Sequence, residues 1–272
     1  MRNLWSNWIA SESQGVQWDA VFDDDANDVA ETSGTPCGFS SSAWLSATQA
    51  ELASVSPAPI IYNGLQLPNE ISLNAVSNVL GGMEEGCYSD SNSRPKIYDP
   101  YWSQIENVEI AMAQQSKLFI CLGRDSDNSS TATSIDSRLY TYASFLLTYT
   151  PSMSILWDLY GTPSGFHVQP ETKLVALNPV VSQPTDVSQL QESSGVYARE
   201  YQRCFVAGVL VGSCAAVVNA DRSNAHSYPF GSKYSHTVVL TGGGVLDGGN
   251  LFTTGGPPPS SLGPTQAVIA FQ

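Results

Sequence analysis

The sequence predicts an α/β fold, a parallel sheet of about five βα units, followed by a small C-terminal all-β domain. Three observations predict it. Up to about residue 165, short apolar runs alternate with amphipathic stretches of helical period, the pattern of parallel βαβ units. Beyond that point the helical period fades, and β-branched runs follow one another through glycine turns. A length of 272 residues with 42% hydrophobic residues allows one large core, or one core with an appendage.

Element by element, "RNLWSNWIASES" near the N-terminus reads as part of a helix, and "WDAVF" (18–22) as the first strand. "SSAWLSATQAELASV" (41–55) is a helix with a serine cap, "PIIYNG" (59–64) a strand and "NEISLNAVSNVL" (69–80) a helix. "GGMEEGC" (81–87) is a strand, "DPYWSQIENVEIAMAQQ" (99–115) a helix and "KLFICLG" (117–123) a strand. A long helix over "IDSRLYTYASFLLTY" (135–149) precedes the strand "SILWDLY" (154–160). In the second region, "YQRCFVAGVLVGSCAAVVNA", "YSHTVVLTGGGVLDGG" and the closing "QAVIAFQ" read as strands. The expected domains are therefore 1–165, α/β, and 166–272, β-rich and of sandwich type.

Composition excludes several functions. Asp and Glu total 25 against 11 Lys and Arg, a net charge of −14, so there is no basic footprint for nucleic acid or an anionic membrane. No apolar run reaches the roughly 18–20 residues of a membrane span. The N-terminal residues lack the apolar stretch of a signal peptide. Few charges alongside much Ser, Thr, Gly and Tyr is a composition shared with exported enzymes. Five cysteines without a CxxC pair speak against structural zinc; they allow two disulfides and one thiol, or five thiols.

Functional groups of parallel α/β folds gather at the carboxyl ends of the strands. Those ends carry Asp23, Asp24 and Asp25; Asn63; Glu84 and Glu85; Arg124 and Asp125; and Trp157, Asp158 and Tyr160. Two strands finish in adjacent carboxylates. Two carboxylates on one cavity are the minimal apparatus of glycoside hydrolysis, one giving a proton to the leaving oxygen, the other activating water or attacking the sugar. The same residues would equally cap a helix or line a solvated rim, and strand alternation leaves open which member of each pair points inward. The run Asp23 to Asp28 also suggests a metal, but DxDxDG spacing and its glycine are missing, so no metal site is expected. Tyr62, Tyr88, Trp102, Trp157 and Tyr160 could stack on sugar rings or belong to the core.

Other templates fail. "GTPSG" (161–165) places Ser164 one position too late for a nucleophile elbow. In "TGGGVLDGGN", Asp247 stands where a dinucleotide fingerprint needs its last glycine. His167, His226 and His236 lack metal-ligand spacing.

"WDAVFDDDAND", "IIYNGL", "GGMEEGCYSD" and "VYAREYQRCFVAGVLVGSCAAVVN" together resemble hypothetical glycosyl hydrolase family 15, from about Trp18 to the C-terminus. The resemblance implies a partial (β/α)8 TIM-like barrel of about five βα units with a C-terminal β domain. It also implies a carbohydrate substrate, no cofactor, Glu85 as general acid and Asp24 as its partner carboxylate. Asp23, Asp25 and Glu84 become neighbouring carboxylates; Asn63, Tyr62, Tyr88, Trp102, Arg124, Trp157 and Tyr160 become candidate sugar contacts. Non-catalytic carbohydrate binding and metal-dependent hydrolysis through residues Asp23 to Asp28 are the alternatives.

The first convincing strand resembles the family's fourth, so the first three are expected to be absent, together with any signal peptide. An extracellular or periplasmic location follows for the full-length form. Open sheet edges then predict self-association. Among the cysteines, Cys204 and Cys214 are spaced to bridge adjacent strands. Cys37 and Cys87 follow strands at one end of the sheet, so they too could meet as a second disulfide, and Cys121 reads as a buried thiol.

Overall fold

The computed structural model describes residues 7–9, 11, 19–24, 26, 35, 38–65, 70–90, 96–124, 132–158, 173–240 and 252–272. Five parallel strands, β1 (Val21–Asp23), β2 (Ile60–Asn63), β3 (Val79–Asp90), β4 (Leu118–Arg124) and β5 (Ser154–Asp158), pair in chain order. Helices α1 (Ser41–Ser54), α2 (Tyr101–Gln114) and α3 (Ala132–Thr148) connect them. Helix α1 starts where expected, because the Ser40 hydroxyl accepts the Ala43 amide at 3.2 Å. Residues 7–9 and 11 are helical. This is the expected α/β architecture, a five-stranded sheet corresponding to part of a barrel.

The helix expected over 69–80 is shorter and tighter. Only Glu70–Ala75 forms a 3-10 turn, and β3 begins at Val79. Asn side chains explain the difference, since they satisfy backbone and side-chain groups elsewhere rather than sit passively on a helix. Asn78 Nδ2 donates to the carbonyls of Leu52 and Ala58, and Asn74 Nδ2 donates to Gln115 Oε1, each at 3.0 Å.

The register sorts the strand residues onto two faces. Phe22 pairs with Ile61, Asn63 with Met83, Met83 with Ile120, Glu85 with Leu122 and Ile120 with Ile155, so these residues share the inner face. Ile60, Tyr62, Val79, Phe119 and Cys121 occupy the opposite face and join the main core under the helices. The inner face carries its own small cluster of Met83, Ile120 and Leu122. Phe22 and Ile155, at its two edges, remain 46% and 44% exposed.

After residue 173 the chain forms an antiparallel sheet in the order β12-β11-β14-β9-β8-β6, with β7 beside β8. Its strands are β6 (Leu174–Pro179), β7 (Gln191–Ser193), β8 (Val196–Val206), β9 (Val209–Asn219), β11 (His236–Leu240), β12 (Phe252–Thr254) and β14 (Gln266–Phe271). Strands β8 and β9 form a hairpin closed by Ala207 and Gly208, both at positive φ, the twist a two-residue turn requires. The sandwich expectation needs correcting. Among the described residues, α3 rather than a second large sheet covers one face, while a two-stranded ribbon of β10 (His226–Ser227) and β13 (Ser261–Leu262) accompanies the other.

Helix α3 is the shared element, touching β3 and β4 on one side and β8, β9 and β14 on the other. Its last carbonyls, from Leu146 to Tyr149, lack partners within the helix and are met by the second region. Tyr201 donates its hydroxyl to Leu146 O, and Gln183 Nε2 donates to Thr148 O at 2.6 Å. Arg199 Nη1 donates to Leu147 O at 3.0 Å and Tyr149 O at 3.1 Å. A guanidinium at this end also complements the helix dipole. Among the described residues, no helix is long and apolar enough to cross a membrane.

Candidate active site

Asn63 ends β2 on the inner face and is almost fully buried. Its amide nitrogen donates to Asp24 Oδ1 at 2.8 Å and to Glu85 Oε2 at 3.1 Å. Residues from three adjacent strands thereby meet at the carboxyl end of the sheet. Asp24, just past β1, is exposed; Glu85 is half-buried.

The local backbone explains how Glu85 is presented. Up to Glu85, β3 stays in register with β4, and pairing then skips to Asp90 opposite Arg124. The interruption contains Gly86 at φ 87° and Tyr88 at φ 57°. A left-handed conformation costs a non-glycine residue about 1–2 kcal/mol, so the surroundings must hold Tyr88 there. Bulges of this kind re-aim side chains next to active sites. The glycines of "GGMEEG" have a packing reason as well: a Cβ on Gly82 would lie 2.7 Å from the Tyr62 ring.

Of each carboxylate pair, one member faces the site. Asp23 pairs with Tyr62 on the helix-facing side, where burial, then Glu51, then Asp24 raise its pKa to about 6. Glu84 pairs with Cys121 on that same side and is buried. Neither joins Asn63.

Three expected sugar contacts are core residues. Tyr62 is fully buried, with its hydroxyl on Asn74 Oδ1 at 3.3 Å. Trp102 is fully buried, donating to Ser144 Oγ at 2.9 Å with its ring 4.5 Å from that of Tyr197. Tyr88 is fully buried against α2. Strand ends and first helix turns attract aromatics for packing as readily as for binding, and these rings face away from the inner cleft. Arg124 ends β4 and Trp157 pairs with Leu122 on β5, while Tyr160, Asp25 and Asp28 lie outside the described residues.

The cysteine expectation is corrected for one pair. Cys204 and Cys214 are bonded, with Cα atoms 5.9 Å apart. Cys121, expected as a free thiol, is bonded instead to Cys87 across β3 and β4, with Cα atoms 5.3 Å apart. The interruption after Glu85 turns Cys87 to the helix-facing side, beside Cys121. Cys37 lies outside the described residues. Among those described, no three His, Cys, Asp or Glu side chains are grouped to hold a metal ion.

Sequence reasoning missed a second acidic pair. Glu106 and Glu109 of α2 are fully buried, and the Thr148 hydroxyl lies 2.6 Å from Glu106 Oε2 and 2.8 Å from Glu109 Oε2. One hydroxyl has one proton, so it can donate to only one carboxylate and must accept from the other. A proton therefore resides on the pair. Burial, then the neighbouring Glu109 charge, pushes the Glu106 pKa well up, and burial raises that of Glu109 to about 7. The available signal was the spacing, three residues apart within the apolar face "IENVEIAM", although helical glutamates usually face water.

The five-stranded parallel sheet, with Asn63 joining Asp24 and Glu85 at its carboxyl end, is a glycoside hydrolase-like fold. The sequence matches the model of hypothetical glycosyl hydrolase family 15 over residues 1–204, and the chain belongs to that family. The match runs through the five parallel strands and into β8 of the second sheet. No curated protein sequence matches. The solved structures similar at low level include the following two. Isomaltulose synthase from Klebsiella sp. LX3 is 11% identical with a TM-score of 0.33, covering 84% of this chain and 58% of its own. Gamma-CGTase from alkalophilic Bacillus clarkii is 10% identical with a TM-score of 0.29, covering 85% and 43%. The chain thus spans little more than half of the first and less than half of the second.

Proposed function

We propose that the protein hydrolyses a glycosidic bond with retention of configuration, through Asp24 and Glu85. The observation that carries this reading is the Asn63 bridge. One nitrogen bonded to both carboxylates brings their nearest oxygens within about 6 Å, which favours the close carboxylate pairing of about 5–5.5 Å found in retaining enzymes. In the first step Asp24 attacks the anomeric carbon while Glu85 gives its proton to the glycosidic oxygen. The C–O bond breaks and the aglycone leaves as an alcohol. In the second, Glu85 takes a proton from water as that water attacks the glycosyl ester, releasing the sugar and the Asp24 carboxylate. Asn63 holds both groups in reach of one carbon throughout.

The two disulfides favour an oxidising, extracellular or periplasmic setting. The exposed Phe22 and Ile155 on the inner face favour association of two copies at the open sheet edges.

A panel of aryl glycosides tests the assignment. Turnover resistant to chelator, lost in both Asp24→Asn and Glu85→Gln and giving first product of unchanged anomeric configuration, supports it. Sugar binding without turnover would mark a binding protein, and chelator-sensitive turnover a metal-dependent hydrolase. Inverted product would overturn the double-displacement step alone.

A further inference from the structure

We propose that Tyr88, with the Glu106–Glu109 pair behind it, is a positioning residue that holds the end of β3 so that Glu85 meets Asn63. The role given to Glu85 rests on the proposed hydrolase reading; the positioning itself does not.

Three observations converge on Tyr88. It lies three residues beyond Glu85, inside the segment where β3 leaves its register with β4. It adopts a left-handed backbone, φ 57°, without being glycine. Its ring is fully buried, and its hydroxyl lies 3.5 Å from Glu109 Oε2. A strained residue persists where its environment over-determines it. Here the adjacent Cys87 is bonded to Cys121, and Tyr88 O accepts the Ile97 amide at 2.8 Å. Those contacts fix the main chain, while the hydroxyl fixes where the side chain ends.

The acceptor is itself rigid. Thr148 ties Glu109 to Glu106, and Thr148 O is held by Gln183. Arg199 clamps the carbonyls on either side, from Leu147 and Tyr149. The path thus runs from the antiparallel sheet through the last turn of α3 to the strand bearing Glu85. In this way the β region contributes to the geometry of a site to which, among the described residues, it supplies no side chain.

The test compares Tyr88→Phe, which keeps the ring and removes the hydroxyl, with Glu109→Gln, which keeps an acceptor, and Glu109→Ala, which removes it. The direct readout is the Asn63 side-chain amide by 15N–1H NMR, because that group bonds both carboxylates. In the wild type its two protons should be separated in shift and slow to exchange. In Tyr88→Phe and Glu109→Ala their exchange should quicken by about tenfold or more, while Glu109→Gln stays near wild type. On any aryl glycoside that the wild type cleaves, Tyr88→Phe should lower kcat by at least about tenfold, with KM within about twofold, as expected of a displaced reacting group. Unchanged Asn63 resonances in a folded Tyr88→Phe protein would overturn the proposal. If that variant does not fold, unchanged resonances in Glu109→Ala would do so. A wild type silent on every glycoside, with Asn63 responding as stated, would overturn the hydrolase reading and support the positioning role.

Discussion

Arg199 of β8 donates from one guanidinium nitrogen to the carbonyls of Leu147 and Tyr149, sealing the end of a helix that belongs to the other sheet. The side chain is 2% exposed, and its second terminal nitrogen donates to Gln183 Oε1 at 2.9 Å. Removing it would strand several buried carbonyls at once. We expect Arg199→Ala to cost about 3–5 kcal/mol. Urea unfolding of the wild type should show one transition for both sheets; two separated transitions would mean that α3 does not couple them.

The buried acids give stability a definite pH dependence. Glu109 rises from 4.5 to about 7, and Glu106 shifts the same way, so the folded protein binds protons that the unfolded chain has released. Their favourable state is fully present below about pH 4.5 and is lost as pH climbs through 7. Asp23, raised from 3.8 to about 6, adds the same sign over a lower window. The groups facing the pair are Tyr88, Thr148, Ser154 and Arg199. The urea midpoint should therefore be higher at pH 4.5 than at pH 7.5. Glu109→Gln should flatten that difference.

Both disulfides close loops of modest length. The separation of 10 residues for Cys204–Cys214 corresponds to about 3 kcal/mol of lost chain entropy, and that of 34 for Cys87–Cys121 to about 4 kcal/mol. Serine at Cys204 or Cys87 should lower stability in that order. Intact mass without reductant should sit four hydrogens below the reduced mass.

Gly81 of β3 pairs with Leu118 of β4. A Cβ there would lie 2.1 Å from the Leu118 carbonyl oxygen, which is backbone and cannot swing away. Gly81→Ala should destabilise by about 1–3 kcal/mol or more, through forced separation of the strands. A thermal midpoint equal to wild type would contradict this.

Association at the open edges is measurable by sedimentation. We expect dimers at micromolar concentration, weakened by Phe22→Ser or Ile155→Ser. A monomer without dye-accessible apolar surface would overturn it.

Much of this molecule is written locally. Alternating strand and helix periods dictated the order of five parallel strands, and the positions of Asp24 and Asn63 at strand ends follow from where the apolar runs stop, whereas Glu85 lies inside β3, where its regular pairing breaks. The hairpin between β8 and β9 is likewise readable, because Ala207-Gly208 separates two runs rich in apolar, strand-forming residues. These features depend on period and turn chemistry, which act over a few residues. Only the tertiary structure decided which carboxylate of each pair faces inward, since register fixes the face and the break after Glu85 resets it. It also decided that Cys121 meets Cys87, that Tyr62 and Trp102 belong to the core, and that Glu106 and Glu109 share a proton behind the site. Each of those outcomes is set by neighbours remote in sequence. A carboxylate on a helix is solvated or buried according to what packs over it, and here the antiparallel sheet, through Arg199 and α3, does the packing.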